Sequence, residues 1–238
     1  MIDSFFNIIA QGAAILNIEL PPEGEAAFRT YYDFLKERGQ NVNLTAISGA
    51  EDVARLHFLD SLVLLNTTVF KNTRIIDVGS GAGFPGLPLK IAEPSIDLTL
   101  LDSTGKRILF LSELCDKLNI DVTCLKARAE DAAHLPELRE KYDIVISRAV
   151  ARLNVLCEMC LPFVRIGGTF LAMKGIDSSE EVTEALSAIE TLSAKVEEDY
   201  DYTIPGTDIS HRVVRISKIE KTPDKYPRRF AKIQKAPL

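Results

Sequence analysis

Along residues 2–66 the apolar positions recur every three or four residues. Phe5, Ile8 and Ile9, then Phe28, Tyr31, Tyr32 and Leu35, fall on helical faces. Pro21-Pro22 separates the two helices this spacing predicts, and Gly39-Gln40-Asn41 predicts the end of the second. Ser48, followed three residues later by Glu51, is a capping-box start for a third helix through about Leu65. From Thr73 the pattern changes. Short apolar runs at 74–78, 97–101, 121–125, 142–147 and 167–173 alternate with helical segments at about 84–92, 104–118, 152–161 and 178–194. Five strands alternating with helices predict a parallel sheet covered on both faces. Two further strands, at about 196–204 and 210–219 around Pro205-Gly206, predict an antiparallel closing hairpin. The expected α/β chain has an N-terminal helical cap over 1–66, a core over 67–220 and a tail over 221–238. No Gly/Ser linker at 66–73 would let the cap swing, so it is expected to pack on the sheet.

Composition adds limits. Of 238 residues, 46% are apolar, which suffices for a full core. No apolar run approaches the roughly 18 residues of a membrane span, and Met1-Ile2-Asp3-Ser4 has no basic stretch. A cytoplasmic protein is expected. Cys157 and Cys160 form a C-x-x-C without a second pair, amid Val155, Leu156 and Met159 at helical spacing. Buried reduced thiols and no metal are the expectation. Net charge is −6, but residues 209–238 carry nine Lys or Arg against Glu220 and Asp224. The tail is therefore +7 and the remainder −13. Such asymmetry suits phosphate contact, and equally a solvated basic tail.

Residues 75–84, Ile-Ile-Asp-Val-Gly-Ser-Gly-Ala-Gly-Phe, read as a buried strand that turns at once into a glycine-rich loop. Gly79, Gly81 and Gly83 leave the backbone open to a ligand, and Phe84-Pro85 opens the next helix. Gly81 to Gly86 fits the dinucleotide fingerprint. Asp77 favours another ligand, because a carboxylate pointing into the loop repels a pyrophosphate. It suits a cationic ligand with an amine and a sulfonium, which is S-adenosylmethionine. A glycine turn with no ligand is the third reading.

Ligands of such sheets sit at the C-terminal ends of the strands. Asp102-Ser103 follows the second strand about 20 residues past the loop, where an acid takes both ribose hydroxyls. A helix cap at Ser103 or Thr104 is compatible with that role. Ala129-Glu130 follows the third strand: backbone amides there would read an adenine edge, with Glu130 accepting from the exocyclic amine, or Glu130 is a solvated acid. Arg148 directly follows the apolar fourth strand, so it faces the ligand crevice or finds a buried partner. Lys174 ends the fifth strand. Two cations at one rim suit an anionic substrate, and RNA phosphate fits.

These residues together resemble the bacterial small-subunit ribosomal RNA guanine-N7 methyltransferases, the RsmG family, also called glucose-inhibited division protein B. The resemblance runs from about residue 41 to the C-terminus. It rests on Asn43-Leu44-Thr45, His57-Phe58-Leu59-Asp60-Ser61, Asp77 through Lys90, Leu101-Asp102-Ser103 with Lys106-Arg107, Arg128-Ala129-Glu130, Ser147 through Ala151, Met173-Lys174-Gly175 and Lys221 through Arg229, in this order and spacing. The tail departs from the family pattern G-x-P-x-K-x-P-L at Ala231 and Ile233.

The resemblance implies a Rossmann-like class I S-adenosylmethionine-dependent fold with a mostly parallel seven-stranded sheet. It implies methyl transfer to N7 of a guanine in 16S rRNA, at position 527, with 16S rRNA or the 30S subunit as partner. By position, Gly79, Phe84, Ala129, Glu130 and Arg148 would bind the cofactor, with Asp102 and Ser103 near the ribose. Guanine N7 carries an in-plane lone pair and needs no deprotonation. The candidates for the chemistry are Arg148, Lys174 and, from the cap, Asp60 and His57, the last also readable as a packing residue. Phe84, Tyr226 and Phe230 are the aromatic candidates for stacking a base, with Phe84 nearest the loop. Lys174, Lys221, Lys225, Arg228 and Arg229 are the expected phosphate contacts. Nothing demands a dimer. A small-molecule methyltransferase, a dinucleotide-dependent oxidoreductase and a non-catalytic RNA-binding protein are the alternatives.

Overall fold

The computed structural model describes residues 2–42, 49–148 and 150–238. Its first two helices, α1 (Ile2–Ile15) and α2 (Gly24–Val42), bury the stripe that their periodicity marks. Phe5 and Ile9 of α1 and Phe28, Tyr31 and Leu35 of α2 are all enclosed. Helix α2 runs to Val42, past the end expected at Gly39-Gln40-Asn41. Asn43-Leu44-Thr45, the capping-box Ser48 and Ala149 lie outside the described residues. The next helical stretch is irregular: α3 (Ala50–Val53), a π-helical turn over Ala54–Leu59, α4 (Asp60–Leu62) and a 3-10 turn over Val63–Asn66. The π turn carries His57, and Asp60 follows it. Such turns are frequent at functional sites.

The parallel strands are β1 (Arg74–Val78), β2 (Asp97–Asp102), β3 (Thr123–Lys126), β4 (Tyr142–Arg148) and β5 (Val164–Gly175). Helices α5 (Gly86–Ala92), α6 (Gly105–Leu118), α7 (Ala129–Ala132) and α8 (Leu153–Cys160) connect them, and α9 (Ser179–Thr191) follows β5. The strand expected over 196–204 is two segments, β6 (Ala194–Val196) and β7 (Tyr200–Thr203). Both pair antiparallel with β8 (Ser210–Lys218). Between them Glu197 N–H still donates to Arg215 O at 2.8 Å, so the two segments fill one strand position. The sheet order is β3-β2-β1-β4-β5-β8-β6, with β7 also on β8.

Strand alternation splits the core in two. Ile75, Ile144 and Ile146 point to one face and meet Tyr31, Phe58 and Phe84, so the N-terminal helices are continuous with that half. Ile76, Val78 and Val145 point to the other face, with Leu156, Cys157, Cys160 and Phe163. The basic tail lies on this second half. Lys218 is enclosed, with Nζ donating to Leu161 O at 3.0 Å and to the Thr222 hydroxyl. Arg139 donates to the carbonyls of Tyr226 and Thr222 at 2.9 and 3.0 Å. The last helix, α10 (Phe230–Lys235), buries Ile233, one of the two positions that depart from the family pattern.

Candidate active site

A cavity of about 930 Å³ opens at the C-terminal ends of the strands, where this sheet type takes its ligands. The loop after β1 forms one end. Gly79 has φ 81°, and a Cβ there would lie 2.6 Å from Val150 Cγ2. Its N–H and that of Ser80 donate to Leu101 O at 2.8 and 3.1 Å, which turns the loop back over β2. Asp102 braces the same loop. Its Oδ2 accepts from Gly81 N–H at 3.1 Å and from the Arg107 guanidinium at 3.3 Å, and its Oδ1 accepts from Thr104 N–H at 2.8 Å. A carboxylate has about four acceptor positions, so about one remains for a ribose hydroxyl. Ser103, Ala129 and Glu130 line this end as well.

Two loop expectations need correction. Asp77 does not point into the loop. It is fully enclosed beneath it, and its Oδ2 accepts from Gly86 N–H of α5 at 2.9 Å. Burial raises its pKa to about 7, opposed by the Gly86 hydrogen bond and by Arg148. Gly83 also faces inward: a Cβ there would lie 2.6 Å from both Leu87 Cδ1 and the Tyr31 hydroxyl. Phe84 lines the cavity but is 5% exposed, stacked with Tyr31 at 5.1 Å and His57 at 4.8 Å. Little of its ring is open to a base.

The other end gathers residues from three distant segments. Arg148, at the end of β4, donates to Asp60 Oδ2 at 2.8 Å and to Leu56 O at 3.3 Å, and contacts His57 Nδ1 at 3.3 Å. Its guanidinium carbon lies 5.4 Å from the Phe84 ring centroid. Asp60 also accepts from the Tyr202 hydroxyl at 2.7 Å and pairs with His211 Nδ1 at 2.9 Å. Burial opposes its ionisation, but the hydrogen bonds of His211 and Tyr202 and the charge of Arg148 prevail, and its pKa is lowered. An ionised Asp60 only accepts, so His211 Nδ1 carries the proton in that bond. Burial, then Arg148, push the His57 pKa down to about 4. His57 is therefore neutral near pH 7, and its Nδ1 is the acceptor toward a guanidinium that only donates.

Not every expected cation is open to substrate. Lys174 lines the cavity, yet its Nζ is taken by Ala151 O at 2.6 Å and Glu181 at 2.8 Å. Arg228 is turned inward, with Nε and NH2 2.8 and 2.6 Å from the carboxylate of the wholly buried Glu158. A guanidinium so engaged is not presented to a phosphate, whereas Lys221, Lys225 and Arg229 are exposed. Two supporting residues had no sequence signal: His211 and Tyr202 are single polar residues in strands. Phe230, an aromatic candidate from the sequence, lines the cavity because the tail folds back.

The cavity offers bare glycine backbone, a braced acid after β2, and a further acid after β3. These fit an adenosyl ligand. Sheet order, glycine loop and acid together define a class I S-adenosylmethionine-dependent methyltransferase. The family model described as GidB, rRNA small subunit methyltransferase G, matches residues 25–202. Ribosomal RNA small subunit methyltransferase G of Alkaliphilus oremlandii is 47% identical over 234 residues, 98% of either chain. That of Acetivibrio thermocellus is 45% identical over 97% of this chain and 96% of its own. The fold is also that of M. jannaschii TYW2 in complex with AdoMet, at a TM-score of 0.53 and 15% identity over 67% of this chain and 77% of that one. The chain belongs to the rRNA small subunit methyltransferase G family.

Proposed function

We propose that this enzyme methylates N7 of a guanine in 16S rRNA, the guanine at position 527 by family resemblance. It would act as a cytoplasmic monomer on 16S rRNA or the 30S subunit. The observation that carries this reading is one cavity with two chemically different ends. The glycine loop, Asp102 and Glu130 suit the adenosyl group, and His57, Asp60, Arg148 and His211 suit a polar heterocycle beside it. The cofactor supplies an electrophilic methyl on a sulfonium.

The N7 lone pair needs no general base, which agrees with a neutral His57 whose Nδ1 is already engaged. The chain's task is placement and exclusion of water, which supplies up to ~7–11 kcal/mol. Methylation leaves positive charge on the purine. Asp60, 2% exposed and held by three donors, is a fixed negative group at that end. Preorganised charge of this kind acts strongly in a water-poor site. Exposed Lys221, Lys225 and Arg229 would hold rRNA phosphates. Among the described residues no helix is long and apolar enough to cross a membrane.

The test is methyl transfer from labelled S-adenosylmethionine to 30S subunits lacking the modification, with 50S subunits as control. Borohydride reduction and aniline then cleave the chain at N7-methylguanine. Label in 16S rRNA with one new cleavage is expected. Label without cleavage refutes N7, and label only on a metabolite makes the enzyme a small-molecule methyltransferase.

A further inference from the structure

The cavity has an aromatic wall that belongs neither to the glycine loop nor to the polar end. Phe230, first residue of α10, is half-buried and lines it. Its location along the cavity follows from what it packs on. Phe230 rests against the apolar cluster that holds Leu101, Ala129 and Met159, the half of the core opposite Phe58 and Phe84. Leu101, Ala129 and Met159 also line the cavity, and the first two are the chain neighbours of Asp102 and Glu130. Helix α10 also packs on α8, which carries Met159, so Phe230 joins the side of the cavity that Leu101, Ala129 and Met159 share. The other rings lining the cavity, among the described residues, are His57, Phe84 and His211. His57 and His211 belong to the Asp60–Arg148 network, and Phe84 is covered by Tyr31 and His57. That leaves Phe230, among the described residues, as the one cavity-lining ring outside that network and that stack.

The segment is fixed on both sides of this ring. Before it, Arg228 N–H donates to Glu158 Oε1 at 2.8 Å, and its guanidinium clasps the same carboxylate. Arg139 holds Tyr226 O, and His134 Nε2 lies 2.9 Å from Pro227 O. After it, Ile233 is fully enclosed. Glu158 neighbours Met159 in α8, so the tether and the cavity wall share one helix.

We propose that Phe230 is a cofactor-binding residue whose ring forms the wall for the adenosyl part of S-adenosylmethionine, and that Arg228 is the positioning residue that seats it. An adenine offers a flat π-face, and losing one base–aromatic stack weakens binding about tenfold or more.

The test is calorimetric titration of the full-length protein with S-adenosylmethionine, S-adenosylhomocysteine and 5′-methylthioadenosine. Phe230→Leu keeps an apolar side chain and removes the ring; Phe230→Tyr keeps the ring. The Leu variant, at an unchanged melting temperature, is expected to bind all three ligands about tenfold more weakly, by one common factor. The Tyr variant is expected to bind them as the wild type does. Arg228→Lys keeps a cation on Glu158 but loses the fork, and should weaken all three by a smaller common factor. Wild-type affinity in Phe230→Leu overturns the proposal. So does a loss for S-adenosylmethionine without one for 5′-methylthioadenosine, which would put the contact at the methionine end. Unchanged affinity in Arg228→Lys overturns the positioning role.

Discussion

Arg228 and Arg229 are adjacent and carry the same charge, yet the fold gives them separate work, and replacing each with Ala should expose the difference. Glu158 is 0% exposed and accepts the backbone N–H of residue 228 as well as its Nε and NH2. Arg228→Ala leaves that carboxylate with the backbone N–H alone. The loss is that of an uncompensated buried charge, about 3–5 kcal/mol. Against a typical domain stability of ~5–15 kcal/mol this is large. With a urea slope of ~1–3 kcal/mol per molar, the unfolding midpoint should fall by about 1 M or more. Arg229 is exposed, so Arg229→Ala should leave the midpoint where it is. Its effect should appear in rRNA binding, as a salt slope lowered by about 0.7–0.9. Glu158→Leu combined with Arg228→Leu removes both charges and should recover much of the loss, and the double-mutant cycle measures the coupling. A wild-type midpoint for Arg228→Ala, with its salt slope lowered as far as that of Arg229→Ala, would refute the reasoning. Arg228 would then be a phosphate contact in solution.

Lys225→Ala should act like Arg229→Ala, and the two losses of salt slope should add, as read by filter binding over a salt series. Asp77→Asn should reverse a pH effect. Asp77's pKa is raised from 3.8 to about 7, chiefly by burial. Folding therefore favours its protonated form, and the stability this gives is complete below pH ~4 and lost as pH rises through 7. Asn keeps an acceptor for Gly86 N–H and cannot ionise, so the variant's stability relative to wild type should climb from pH 4 to 7 and then level. His57, with its pKa pushed from 6.5 to about 4, works the other way, its contribution disappearing as pH falls through that range. The variant-minus-wild-type difference isolates Asp77, and a flat difference would exclude its protonation. Asp60→Asn should lower the rate of 16S rRNA methylation by about 10²-fold, the scale for losing one preorganised charged contact. A rate within about threefold of wild type would take Asp60 out of the chemistry.

The strands and the glycine loop were legible because each rests on local rules: β-branched runs for a buried sheet, and glycine where Gly79 must take a positive φ against Val150. The Asp60–Arg148–His211 network was not. Its members come from the N-terminal cap, β4 and β8, and only sheet pairing such as Gly175 with His211 brings them to one rim. Strand alternation places Asp77 beneath the loop and not in it. Residues two apart share a face, so Asp77 follows Ile75 to the side covered by α5, where the Gly86 N–H waits.

The tail is no strand, yet its contacts also sort its side chains. Tyr226, Arg228 and Phe230 turn inward, to the core, to Glu158 and to the cavity, while Lys225 and Arg229 stay exposed. A charge count over this stretch treats all its cations alike, yet the Glu158 carboxylate claims Arg228 while Lys225 and Arg229 face solvent. One short segment therefore presents positive charge outward and an aromatic ring inward at the cofactor cavity. Any rRNA phosphate gripped by Arg229 is then one residue from the wall of the methyl donor's site.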